Sequence, residues 1–154
     1  MCLAVIDASV LTAYYASDDP RREAVTARLA SGDALFAPAH LDAEVVSALR
    51  GVARVNAKVR RAVPAALARV AGFPIRRMPL PPLLQRMWEL RGNVTPSDAA
   101  YVAPAEQLSG PLITCNVDLA QGRSRLDARS IRSADARASP GVSSRAMVRA
   151  MKRR

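Results

Sequence analysis

Histidine, cysteine and aromatic side chains are scarce in this 154-residue chain, and the shortages remove whole classes of chemistry. There is one histidine, His40, and there are two cysteines, Cys2 and Cys115. That set provides neither a disulfide framework nor a Cys/His zinc site, and both thiols are expected to be buried and free. Ser9 has no histidine near it in sequence, and His40 is the single imidazole base available, so nothing resembles a covalent nucleophile system. No uninterrupted apolar run approaches the roughly 18 residues that suggest a membrane span. The N-terminus lacks the basic start and long apolar stretch of a signal peptide. The expectation is a cytoplasmic protein with no membrane attachment. Half of the residues are hydrophobic, with aromatics at only 4%.

What is abundant is positive charge, and its placement matters more than its sum. The net charge of +10 rests on 23 Lys+Arg against 13 Asp+Glu. Residues 1–120 hold 13 of those bases and 11 of those acids, whereas residues 121–154 hold 10 and 2. The excess therefore belongs to a basic Arg/Ser-rich tail, expected to be poorly ordered, that follows a domain of about 120 residues. A basic tail attracts phosphates electrostatically, but by itself it establishes no function.

Within residues 1–120, short apolar runs alternate with helical patterns. "LAVI" (3–6), "ALFAP" (34–38), "FPIRRMP" (73–79) and "PLITC" (111–115) read as strands of a mainly parallel sheet. Helices are expected from about 8 to 16, across "SDDPRREAVTARLASG", and from Leu41, where Leu41, Val45, Ala48, Leu49 and Val52 share a face. Another is expected to open near Pro64 and stop at Gly72, and another to run through "PPLLQRMWELRG". The best-delimited helix is "TPSDAAYVAPAEQLSG": Thr95 caps it, Pro96 suits its first position, Asp98 occupies the capping-box site and Gly110 ends it. Alternating strands and helices predict a three-layer α/β/α sandwich on a sheet of four to five strands. No fifth strand is evident after Ala120.

In an open parallel sheet the functional crevice lies beyond the carboxyl ends of the strands. Asp7 stands at the end of the first strand, and Asn116 and Asp118 follow the fourth. Glu44 lies on the helix after the second strand, and Asp98 in the first turn of the helix leading to the fourth. Each acid has an ordinary explanation alone: Asp98 as a helix cap, Asp118 and Glu44 as solvated residues, and Asp42 as another of the same kind. Asp7 is the least ordinary, because burying a carboxylate without cations or hydrogen bonds is costly. Convergent carboxylates make a poor core and a good site for Mg²⁺ or Mn²⁺, which prefer oxygen ligands and keep waters and substrate phosphates. Such a cluster suits metal-assisted phosphodiester hydrolysis.

The stretches "VIDASVL", "APAHLDAEVVSALR", "LLQRMWELRGNVTPSDAAYVAPAEQL" and "PLITCNVDLA", in this order and spacing, resemble the PIN-domain ribonucleases, specifically VapC-type toxins of bacterial toxin–antitoxin pairs. The resemblance spans nearly all of residues 2–120. It implies a central parallel sheet, Mg²⁺- or Mn²⁺-dependent cleavage of RNA, dimerisation, and inhibition by a VapB-type antitoxin. Asp7, Glu44 and Asp98 match the family's first three metal-binding acids, and Ser9 matches a hydroxyl residue that orients the first. Where the family commonly has a fourth aspartate, this chain has Asn116, with Asp118 two residues on. The expectation is one well-held metal on Asp7 and Asp98, with a second site weakened. Pro104 replaces the usual aliphatic residue inside its helix and should cost about 3 kcal/mol if that helix stays straight.

Other classes fit less well. A receiver-type phosphoacceptor wants a lysine at a late strand end, and the only lysines are Lys58 and Lys152. A haloacid-dehalogenase-type phosphatase wants an aspartate at position 9, where serine stands. A catalytically impaired PIN module that binds antitoxin or RNA without cutting is the main alternative, motivated by Asn116, Pro104 and the tail. A nucleic-acid binder relying on the tail alone is a further one.

Overall fold

The computed structural model describes residues 2–16 and 18–120. Four parallel strands form one sheet in the order β3-β2-β1-β4: β1 (Leu3–Ile6), β2 (Ala34–Pro38), β3 (Ile75–Met78) and β4 (Leu112–Ile113). β1 is central, with Ala4, Val5 and Ile6 fully buried, which is why its sequence is a continuous apolar run rather than an alternation. Helices α1 (Ala8–Tyr15), α2 (Arg22–Leu29), α3 (Leu41–Val55), α4 (Ala57–Ala71), α5 (Leu84–Glu89), α6 (Pro96–Gln107) and α7 (Val117–Ala120) account for the rest of the regular structure. Single 3₁₀ turns, Pro81–Leu83 and Leu90–Gly92, flank α5, so the expected continuous helix is three short pieces. The expected tail, its boundary and any fifth strand fall in residues 121–154, outside the described residues. Among the described residues no helix is long and apolar enough to cross a membrane.

The strand order fixes where chemistry belongs. The chain adds β2 and β3 on one side of β1 and then crosses to place β4 on the other. The order therefore reverses between β1 and β4, and the crevice of an open α/β sheet lies at the carboxyl ends flanking that reversal. Val5 N–H donates to the Pro111 carbonyl and Asp7 N–H to the Ile113 carbonyl, at 2.9 and 3.0 Å. Asp7 is thus bound to β4 through its own backbone.

Several local expectations are corrected. α4 does not open at Pro64: Asn56 caps it by accepting from the N–H groups of Lys58 and Val59 at 3.0 and 3.1 Å, and Pro64 lies inside. The proline forfeits one helical hydrogen bond, while burial of Val59, Ala66 and Val70 holds the helix in place. α6 likewise runs through the fully buried Pro104 to Gln107. Asp42 is not merely solvated, because Arg77 grips its carboxylate with two hydrogen bonds of 2.7 and 2.9 Å and also reaches the Val70 carbonyl, linking α3, β3 and α4. Cys115 is buried as expected, but Cys2 is exposed, at the outer start of β1.

The end of α6 differs in kind from the expected glycine stop. Ser109 takes the left-handed conformation, with φ of 49°. Gly110 serves a different need: a Cβ there would stand 2.6 Å from the Leu3 carbonyl oxygen. Backbone cannot yield to that approach as a flexible side chain could. We predict that Gly110→Ala destabilises the fold by about 1–3 kcal/mol, whereas Ser109→Gly is neutral or slightly stabilising. Urea denaturation of both variants checks this, and an unaltered Gly110→Ala midpoint would contradict it.

Candidate active site

Among the described residues Asp7 is the single charged side chain that is buried, with 8% exposure. It caps α1 and stands where β1 ends. Ser9 Oγ donates to its Oδ2 at 2.8 Å, and Thr114 Oγ1 donates to the same oxygen at 2.5 Å. Both hydroxyls are oriented by the backbone just beyond β4. Cys115 N–H donates to Ser9 Oγ, and Asn116 N–H donates to Thr114 Oγ1, each at 2.9 Å. With those lone pairs engaged, the hydroxyl protons point at the carboxylate. Among the described residues Oδ1 receives only the long 3.4 Å contact from Ser9 N–H. No cation among the described residues pairs with Asp7, so neutral dipoles alone offset the cost of its burial.

Glu44, half-buried on α3, is held from across the crevice by α6. Tyr101 donates to its Oε2 at 2.5 Å, and the Ser97 hydroxyl donates to its Oε1. Ser97 and Tyr101 are four residues apart, so they share a helical face. Asp98 lies between them in sequence. Burial pushes the Tyr101 phenol far above its ordinary range; the hydrogen bond to Glu44, then the charges of Glu44 and Asp7, push the same way. His40, the only histidine, brings Nε2 to 3.5 Å from Glu44 Oε1 without forming a hydrogen bond.

Asp98 is half-buried at the start of α6, and its local chemistry is a variant of the expected capping box. Thr95 Oγ1 accepts from Asp98 N–H at 3.2 Å and donates to Asp98 Oδ2 at 2.8 Å. Asn116 uses its side-chain oxygen at the start of α7, where Leu119 N–H approaches at 3.4 Å. Asp118 belongs to α7, but its side chain falls outside what the structure describes.

The structure thus brings Ser9, which donates to Asp7, and Glu44 into one crevice and places Asp98 on the helix that holds Glu44. As they stand, no three Asp, Glu, His or Cys side chains among the described residues converge closely enough to hold a metal. Each carboxylate is instead satisfied by hydroxyl donors. The donor set remains one of hard oxygens, and an ion such as Mg²⁺ uses one or two carboxylates with waters and substrate phosphates rather than a closed protein cage. The residues fit such an ion. A thiolate ligand does not belong here: burial, ahead of any neighbouring charge, pushes the Cys115 thiol up to about 11.

An open groove of about 380 Å³ runs past these groups, lined by Ala8, Ser9, Thr12, Arg21, Glu44 and their neighbours. Sequence reasoning missed Ser97, Tyr101, Thr114 and Arg21. The i, i+4 spacing of Ser97 and Tyr101 around Asp98 was the available signal, but a buried tyrosine on a helix reads as core.

A parallel α/β fold with a buried carboxylate at its order reversal defines the class, and the PIN-domain family model matches residues 4–123. The chain belongs to the PIN-domain family, and its relatives there are VapC-type proteins. Ribonuclease VapC12 of Mycobacterium tuberculosis is 45% identical over 103 residues, covering 64% of this chain and 76% of that protein. Ribonuclease VapC3 of the same organism is 40% identical over 117 residues, covering 76% and 85%. Ribonuclease VapC9 is 34% identical over 118 residues, covering 75% and 87%.

The protonated groups at this site carry a pH consequence. Cys115 and Tyr101 both hold their protons above the ordinary values of the free groups, 9.0 and 10.0. Above about pH 9 the unfolded chain loses protons that the native state retains, so stability is full below that pH and declines as pH rises further. The urea midpoint should fall between pH 8.5 and about pH 10.5; a flat profile over that interval would contradict the assignment.

Proposed function

We propose that the protein is an endoribonuclease of the VapC kind, the toxin of a toxin–antitoxin pair, acting on RNA phosphodiester bonds with Mg²⁺ or Mn²⁺. The observation that carries this reading is Asp7: a buried carboxylate at the β1/β4 reversal, held through one oxygen by two oriented hydroxyls. The names of the mycobacterial relatives support the ribonuclease activity. In this reading Asp7 and Asp98 hold the ion, with Glu44, Asn116 and Asp118 as further candidates.

When bound, such an ion would supply Lewis acidity toward water and the phosphate. The chain's own groups do the rest. Ser9 and Thr114 fix the Asp7 carboxylate through Oδ2, which leaves Oδ1 the less engaged oxygen for a cation. Ser97 and Tyr101 hold Glu44 against the helix that carries Asp98. The Tyr101 phenol keeps its proton, which makes it a donor to Glu44 and excludes it as a base at neutral pH. A VapB-type antitoxin as partner, a homodimer and a cytoplasmic setting belong to the same reading.

A non-cleaving PIN module that binds antitoxin or RNA is the second reading, favoured by the neutral Asn116 and by the separation of the three acids into hydroxyl-bonded positions.

Cleavage of total cellular RNA with added Mg²⁺ or Mn²⁺ separates the two. The nuclease reading predicts cuts by the wild type that fall at least about 100-fold in Asp98→Asn and Asp7→Asn, the scale of losing a metal-positioning group. Intact RNA in the presence of either metal, from folded protein free of antitoxin, supports the second reading; cleavage that persists in Asp7→Asn removes that residue from the mechanism.

A further inference from the structure

The crevice has a cation that neither the metal site nor the fold's core explains. Arg21 lines the groove together with Ser9 and Glu44, and no other base is among the lining residues. Its guanidinium is not adrift in solvent. Asp19 accepts from Nε and Nη2 at 2.9 and 2.6 Å, and from the Arg21 backbone N–H at 2.8 Å. Nη1 points to the Cys115 carbonyl oxygen at 3.5 Å, a long contact. Cys115 N–H in turn donates to Ser9 Oγ, which donates to Asp7. Arg21 is therefore connected to the buried carboxylate through Cys115 and Ser9, by one long contact and two short hydrogen bonds, near the end of β4 where Asn116 contributes no charge.

The ion pair with Asp19 raises the pKa of Arg21 and lowers that of Asp19, so both remain charged. It engages the Nε/Nη2 edge of the guanidinium, so Nη1 is held by nothing shorter than the 3.5 Å contact to Cys115. The side chain is 36% exposed, while Asp19 is 12% exposed, so the partner is the more sheltered of the two. A fork whose orientation is already set loses little freedom on meeting an anion, and its planar donors match a phosphate. A polyanion entering between Asp7 and Glu44 meets two carboxylates and needs a fixed positive charge nearby.

We propose that Arg21 binds a backbone phosphate of the RNA in this groove, with Asp19 as the residue that positions it. The inference rests on the nuclease reading for its ligand but makes its own claim about binding. It places one strand of RNA along α1 and the start of α3, with the phosphate between Arg21 and the crevice acids.

The test is fluorescence anisotropy of a labelled single-stranded RNA oligonucleotide against the full chain in Mg²⁺, with cleavage suppressed in every protein by Asp98→Asn. Arg21→Gln should weaken affinity about tenfold, the scale of one charge-assisted hydrogen-bonding group. The slope of log Kd against log salt should become shallower by about 0.7, as for one lost phosphate contact on a single strand. Arg21→Lys should keep the slope while losing part of the affinity. An Arg21→Gln protein with unchanged affinity, or with weaker affinity and an unchanged salt slope, overturns the proposal, since a merely structural role does not alter that slope. Where Arg21→Gln fails to fold, Arg21→Lys decides: an affinity equal to the parent's contradicts the need for a fork. Cleavage by the chain with Asp98 intact is scored separately. Lost salt dependence without cleavage there would retain Arg21 as a phosphate contact and reject the nuclease reading.

Discussion

A carboxylate at the buried end of a central parallel strand is expensive, and the architecture around Asp7 is organised to tolerate it. The cost is met without an ion pair among the described residues: Ser9 and Thr114 donate to Oδ2, and backbone N–H groups beyond β4 dictate which way those hydroxyls point. Such charge–dipole hydrogen bonds are shorter and stronger than neutral ones. The arrangement depends on β4 lying beside β1, because Thr114, Cys115 and Asn116 all follow that strand directly. Gly110 permits the chain to pass close to Leu3 on its way into β4. The backbone requirement at one end of the strand and the carboxylate at the other thus belong to one strand pairing.

The second acid is attached to the same frame by different means. Glu44 rides on α3, whose Leu41, Val45 and Leu49 are buried, but its carboxylate is held by Ser97 and Tyr101 of α6. α6 in turn is fixed at its start by Thr95 and Asp98 and along its length by a nearly continuous buried face. One helix therefore carries Asp98 and restrains Glu44 through Ser97 and Tyr101. A disturbance of α6 reaches both acids, which is a reason for its sequence to be so well punctuated at the N-terminus.

What was legible in the sequence was whatever local physics decides. The apolar runs at 3–6 and 34–38 are strands as read, and the Thr-Pro-Ser-Asp start of α6 is where the caps put it. Asp7 stood out because a lone acid ending a hydrophobic run demands an explanation. Pro64 misled because a proline near a helix start is commoner than one inside, and only packing against neighbours tolerates it there. The grip of Arg77 on Asp42 spans 35 positions and has no local signature. The same holds for Thr114 on Asp7, which are brought together by strand pairing. Tyr101 illustrates a different limit: its periodicity marks it correctly as buried, yet burial conceals that its hydroxyl serves Glu44.

Titration calorimetry with Mn²⁺ on the wild type and on Asp7→Asn bears most directly on the claim that Asp7 is the centre of a cation-dependent site. The account predicts measurable binding by the wild type, lost in Asp7→Asn and weakened when Ser9→Ala and Thr114→Val are combined, with both variants still folded. Equal Mn²⁺ binding by wild type and Asp7→Asn, or none by the wild type, would contradict it.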